Sequence, residues 1–188
     1  GKIHRIHRDG RIPQDNPFAS TEGNLKSIWS YGHRNPQGLA FGLDGQLFDT
    51  EHGPRGGDEF NKIERGANYG WPLAAYSINY NNTPLTNPWP EGKTFAQPVY
   101  RWLPSIGACG LDVVSGKAFS GWHGDFIAGG LSGANVDRLR VKNGVLEVQE
   151  TILSDQGRVR DVRVGPDGNI YVVLNSPDKV IRLVEVKS

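Results

Sequence analysis

Cysteine occurs once in this chain, at Cys109, so no internal disulfide framework is available, and a single thiol is compatible with cytosol, periplasm or exterior. Long apolar runs are missing too; none approaches the 18 or so residues that a membrane-spanning helix needs. Charge of one sign is not in excess, because 21 Lys and Arg face 20 Asp and Glu for a formal net charge of +1. The basic footprint required for nucleic acid or an anionic membrane surface is therefore absent, and neither is expected as a partner. The five histidines show no H-x-x-x-H or H-x-H pairing, which argues against a zinc site. G-x-S-x-G, Walker and dinucleotide-binding fingerprints are also lacking. No charged-then-apolar leader precedes Gly1, and the chain reads as processed, trimmed or excised.

Glycine and proline, in contrast, are plentiful: 25 and 12 in 188 residues, alongside 37% hydrophobic and 10% aromatic residues. That mixture describes a turn-rich folded chain, not a disordered one, and its length suits one domain over residues 1–188. Strand-like alternation recurs in Lys2–Ile6, Asn61–Arg65, Val136–Arg140 and Val180–Val184, each reading as the closing strand of a unit. The first and third run into similar turns, Arg8-Asp-Gly10 and Lys142-Asn-Gly144. A second phrase, apolar strand, Gly turn, apolar strand, precedes three of them: Gly38–Phe48, Gly110–Ile127 and Val162–Tyr171.

Repeated short antiparallel strands with no competing helix predict an all-β fold, a β-propeller of about three four-stranded blades plus one spare strand. The interval from Leu139 to Leu183 matches a bare blade of about 40–50 residues, and the other intervals carry insertions. The longest insertion, residues 67–104, is rich in Asn, Pro, Tyr and Trp and reads as long irregular loops of the kind that carry binding groups. A six-bladed ring needs roughly 270 residues, so about half a ring is present. An open half would expose strand edges and apolar blade faces. The expectation is a fragment whose other half lies upstream, or a second chain that completes the ring.

Three clusters could carry chemistry. Tyr31–Gly38 places Arg34, Asn35 and Gln37 on one Gly/Pro-shaped turn, a planar bidentate cation with two amides, suited to an oxygen-rich planar ligand. The alternative is a polar patch that stabilises the turn. Glu51–Glu59 combines carboxylates with a Gly/Pro kink that presents backbone carbonyls, plausible for Ca²⁺ although it lacks EF-hand spacing; the alternative is a Gly-rich hairpin with solvated acids. In Gln156–Asp161, Arg158 and Arg160 stand two apart and point to one strand face, as an anion site or as a salt-bridged surface in which Asp161 pairs with either. His33 and His52 read as structural first, and Cys109 as a small apolar core residue.

The runs Ile28–Phe41, Glu51–Glu59, Gly66–Pro72 and Arg158–Val162 with Gly165–Gly168, in that order along the chain, resemble the soluble quinoprotein glucose/sorbosone dehydrogenases, most nearly their aldose sugar dehydrogenase branch. The resemblance covers almost the whole chain but only the C-terminal half of such six-bladed enzymes. It implies that Arg34, Asn35 and Gln37 line the pocket of pyrroloquinoline quinone (PQQ) and sugar, and that Arg158 and Arg160 hold the PQQ carboxylates. It further implies that Gly53 and Pro54 present carbonyls to a calcium at the quinone, and that Glu59 and the backbone of Tyr69 hold a second, structural calcium. The implied reaction oxidises the anomeric carbon of an aldose to a lactone, with electrons passed to an external acceptor, in the periplasm or outside the cell. The family's catalytic histidine has no match here and is expected in the other half. Two departures bear on the pocket: Ser132 stands near where some relatives carry a cofactor-binding lysine, and Ile106–Gly110 replaces a Pro-Ser-Gly type of sequence. The rival reading is a non-catalytic propeller module that binds a protein or glycan.

Overall fold

The computed structural model describes residues 1–84 and 92–186. Among these residues the regular structure is thirteen strands and one short 3-10 helix, Ser120–Trp122. β1 (Lys2–His4) pairs with β2 (Ile28–Tyr31) in a two-stranded sheet. β3 (Pro36–Phe41), β4 (Leu47–Glu51), β5 (Asp58–Lys62) and β6 (Tyr100–Trp102) form a four-stranded meander. A second meander follows as β7 (Ala108–Val113), β8 (Phe126–Gly130), β9 (Asn135–Lys142) and β10 (Val145–Ser154). β11 (Arg158–Val164), β12 (Ile170–Asn175) and β13 (Lys179–Leu183) complete the described strands as a three-stranded sheet. Each sheet packs through its first strand, β3 on β7 and β7 on β11, which is the arrangement of blades around an axis.

The strand–turn–strand phrases of the sequence are β3–β4, β7–β8 and β11–β12, and the first and last turn on Gly45 and Gly168, at φ of 82° and 79°. The presumed closing strands are β1, β5, β9 and β13, and here the structure corrects the reading. In the two four-stranded sheets a further strand follows them: β10 through the Lys142–Gly144 hairpin, and β6 at the end of the long insertion. The spare strand β1 is not alone, since β2 pairs with it. Within the insertion, residues 85–91 lie outside the described residues, while isolated bridges Tyr31↔Asn68 and Arg55↔Ile78 tie its earlier part to the strands.

Apolar residues at alternate strand positions meet between neighbouring sheets. Phe48, Phe60, Trp102, Leu111, Phe126 and Leu139 fill the first interface, with the Phe48 and Phe126 rings 4.5 Å apart. Val136, Val159, Val162, Ile170 and Val172 fill the second. Each such side chain contributes about 1.5–3 kcal/mol on burial. Polar contacts also fasten neighbouring sheets together: Thr50 Oγ1 on β4 donates to the Cys109 carbonyl at 2.6 Å, Cys109 Sγ to the Val159 carbonyl at 3.3 Å, and Val164 N to Asp112 Oδ2 at 2.8 Å. Gly38 makes this approach feasible, because a Cβ there would lie 2.4 Å from Thr50 Oγ1 and 2.6 Å from the Cys109 carbonyl oxygen. Gly110 likewise faces Asp161 and Val162. This register brings the starts of β3, β7 and β11 to one end of the packed strands.

On β11 a bulge falls between Val159 and Asp161, leaving Arg158 and Arg160 exposed while Val159 and Val162 are buried. The pairing considered for Asp161 is not the one formed: its carboxylate meets Arg163 at 3.4 Å, and neither Arg158 nor Arg160. Apolar exposure also matches expectation. Leu39 and Phe41 on the outer side of β3 are 49% and 66% exposed, and they line a groove of about 750 Å³ with Ile3 and Trp29.

Gly38→Ala should destabilise the chain by about 1–3 kcal/mol, since the new methyl meets backbone and side chain on two blades; urea melts of the two proteins check this. Burial raises the Cys109 thiol to about 12, so it should resist thiol labelling at neutral pH until the chain unfolds. Ready labelling under native conditions would contradict the packing described.

Candidate functional site

The site begins on β4, where Asp49 and Glu51 stand two apart and therefore share a face, while Thr50 between them points to the next blade. The β4–β5 register sets Asp49 opposite Asn61 and Glu51 opposite Glu59. Two acids directly across a ladder repel each other, and burial compounds the cost. Glu59 is pushed up to about 8, first by desolvation and then by the charge of Glu51. Asp49 is fully buried and raised well above the usual carboxylate range, again by desolvation first and Glu51 second. Neither Asp49 oxygen has a hydrogen-bond partner, although His33 Nδ1 lies 3.5 Å from Oδ2.

His33 is buried as well, held between Ser30 Oγ at 2.8 Å and Glu51 Oε1 at 3.2 Å, with its ring stacked on Tyr69 at 4.3 Å. Asn61 Nδ2 donates to Glu51 Oε1 at 3.0 Å and to Glu59 Oε2 at 3.4 Å, bridging the two acids. The chain between His33 and Pro36 leaves the β3 ladder, and the other Glu51 oxygen accepts the backbone N–H groups of Arg34 at 2.7 Å and Asn35 at 3.3 Å. The Arg34 guanidinium donates to the His52 carbonyl at 3.2 Å and lies over the rings of Trp71 and Tyr80.

The Gly53–Gly57 loop folds tightly against this turn. A Cβ on Gly53 would lie 2.1 Å from the Gly56 carbonyl oxygen, and Gly56 and Gly57 take φ of 77° and 68°. Asp58 anchors the loop, accepting from Gly53 N at 2.9 Å, Ser105 Oγ at 2.7 Å and Ala108 N at 2.8 Å. Between loop and turn lies a cavity of about 20 Å³, room for roughly one water or one cation. Arg34, Gly53, Pro54, Glu59 and Tyr69 all line it, together with Glu51. Two acids at one void of this size, Glu59 among them resisting ionisation, suit a hard divalent cation, which supplies positive charge through oxygen ligands.

Five of the residues singled out in the sequence thus meet at one cavity. Asn35 and Gln37 lie beside it on the exposed side of the turn, bonded to each other at 2.9 Å. Arg158 and Arg160 do not line it; they sit on β11, beyond the intervening β7 but at the same end of the inner strands, with Arg160 donating to Asn175 Oδ1 at 3.3 Å. Sequence reasoning did not single out Asp49 or Asn61. For Asp49 the available signal was a pair of acids two apart, Asp49 and Glu51, in a five-residue strand with Leu47, Phe48 and Thr50; for Asn61 it was only the register.

Blades joined through their first strands, with an acid-lined cavity beside a donor-rich turn at one end, define a propeller-type domain with a candidate site at that end. The chain belongs to the glucose/sorbosone dehydrogenase family, whose model (Glucose / Sorbosone dehydrogenase) matches residues 1–182. It is 42% identical over 178 residues to "Aldose sugar dehydrogenase YliI" of Escherichia coli (strain K12), covering 92% of this chain and 47% of that protein. It is 30% identical over 229 residues to "Quinoprotein glucose dehydrogenase B" of Acinetobacter calcoaceticus, covering 93% of this chain and 47% of that protein. A solved structure of the PQQ-bound form of aldose sugar dehydrogenase from Streptomyces coelicolor superposes with a TM-score of 0.73 at 28% identity, covering 98% of this chain and 51% of that one. The chain spans about half the length of the curated relatives it matches.

The raised Glu59 gives the cation-free protein a pH signature. The folded chain keeps this proton up to about pH 8, whereas the unfolded chain releases it near 4.5, so stability falls as pH rises across that window. Urea melts in chelator should show the fall, and Glu59→Gln should lessen it, leaving the part that the raised Asp49 contributes.

Proposed function

We propose that this chain is the C-terminal half of a PQQ- and calcium-dependent aldose dehydrogenase that oxidises the anomeric carbon of a sugar to a lactone and passes electrons to an external acceptor. The observation that carries the reading is the convergence of Arg34, Gly53, Pro54, Glu59 and Tyr69 on one cation-sized cavity, in a chain whose relatives include a PQQ-bound structure. When bound, PQQ supplies the quinone that takes up hydride from the sugar, and calcium supplies the Lewis acid that polarises it.

The chain's own residues bind and orient. Arg34, with Asn35 and Gln37 beside it, offers donors to a planar, oxygen-rich ring system, and Arg158 and Arg160 offer guanidiniums to its carboxylates. Gly53 and Pro54 would present carbonyls to the calcium, and Glu59 and Tyr69, which line the same cavity, would serve that ion in place of a second, structural one. The base that removes the anomeric hydroxyl proton lies outside this chain; His33 does not serve, being enclosed by Ser30, Asp49 and Glu51. The partner is the other half of the propeller or a second chain, and the setting is periplasmic or extracellular.

Titration of the chain with PQQ in the presence of calcium, followed by tryptophan fluorescence, tests this. Saturable quenching is expected, and Arg158→Ala with Arg160→Ala should weaken it about 10-fold or more, the scale of losing charge-assisted hydrogen bonds. Sugar-dependent dye reduction should appear only when the complementary half is added. Failure to bind PQQ even then favours a non-catalytic module.

A further inference from the structure

We infer that Glu51 is a positioning residue for the ligand-facing turn: its buried carboxylate, through the backbone N–H groups of Arg34 and Asn35, sets where those two side chains meet PQQ. The inference rests on the proposed cofactor reading and adds a residue to it.

Four donors converge on this one carboxylate. Oε1 accepts from His33 Nδ1 at 3.2 Å and Asn61 Nδ2 at 3.0 Å, and Oε2 accepts from Arg34 N at 2.7 Å and Asn35 N at 3.3 Å. Ladder pairing of β3 with β4 ends at Pro36 opposite Glu51, so the two residues before Pro36 have no strand neighbour there to take their N–H groups. The Glu51 side chain replaces the ladder at that point. Its own position is fixed in turn, because it is 3% exposed and stands on the interior of a sheet. One further bond closes the arrangement, from His52 N to the Asn35 carbonyl at 3.2 Å. The turn is thus gripped at successive peptide groups, while the Asn35 side chain stays exposed and Arg34 reaches the cavity.

The chemistry of the grip explains the residue type. The Arg34 and Asn35 N–H groups and Asn61 Nδ2 all donate to the carboxylate, with His33 Nδ1 at bonding distance, so an acceptor with several lone pairs satisfies them together. An amide in the same place turns an NH₂ group toward N–H groups. A carboxylate one methylene shorter keeps the chemistry but draws back from the turn.

The test compares Glu51→Gln, Glu51→Asp and a remote control, Asp125→Asn, which weakens the buried Asp125–Arg138 pair in the next blade. For each protein three quantities are measured: PQQ affinity by fluorescence, hydrogen exchange at the Arg34 and Asn35 amides, and the urea midpoint. Glu51→Gln is expected to weaken PQQ about 10-fold or more and to speed exchange at both amides, while the Leu111 and Val172 amides stay protected. Glu51→Asp should fall between it and the parent, and supplies the readout if Glu51→Gln does not fold. Asp125→Asn should lower the urea midpoint and leave PQQ affinity unchanged. Equal PQQ affinity in the Glu51 variants and the parent, or equal weakening by Asp125→Asn, overturns the proposal. If the parent chain does not bind PQQ even with the complementary half present, the cofactor reading fails, and exchange at Arg34 and Asn35 alone decides whether Glu51 holds the turn.

Discussion

The three inner strands approach one another more closely than ordinary side chains permit, and much of the structure follows from that constraint. Gly38 and Gly110 clear the space, so the peptide groups of β7 come within reach of Thr50 on one side and of Asp161 and Val162 on the other. Once the strands lie this close, their register fixes which residues occupy the common end of the blades. Arg34 and Asn35 stand just ahead of β3, and Arg158 opens β11. The Cys109 thiol lies inside this seam, where burial keeps it protonated and its single bond to the Val159 carbonyl joins β7 to β11.

A second constraint is electrostatic. Asp49, Glu51 and Glu59 are gathered on two adjacent strands, and an interior of this kind is unfavourable for three charges of one sign. Asn61 and His33 supply hydrogen-bond donors but leave both oxygens of Asp49 without a partner. The polar centre of the blade is therefore poised to take up positive charge. The same strands carry the Gly53–Gly57 loop, so cavity and turn are linked through one small set of side chains.

Much of the architecture was legible in the sequence, because strand, Gly turn and strand recur with local signals that need no tertiary information. The positions of the fourth strands were not. Tyr100–Trp102 is three residues long and follows an insertion, and it becomes a strand only by pairing with β5. The site divides along the same line. Arg34, Gly53, Pro54, Glu59 and Tyr69 lie in contiguous motifs and could be named from them, whereas Asp49 and Asn61 gain their significance from the β4–β5 register. The partner of Asp161 was beyond reach for a similar reason: the bulge at Val159 and Asp161 breaks the alternation from which a pairing would be inferred.

That bulge also governs which changes of length the chain tolerates. Between Arg158 and Val162 it holds two exposed guanidiniums on the outside while two valines reach the core on either side of the extra residue. Removing Arg160 would restore strict alternation with both valines still inward, at the loss of one of the two outward guanidiniums. The insertion before β6 has no such phase to keep. Loop length around the cavity is thus free of any strand phase, whereas the residue count between Arg158 and Val162 sets how many guanidiniums stand outward.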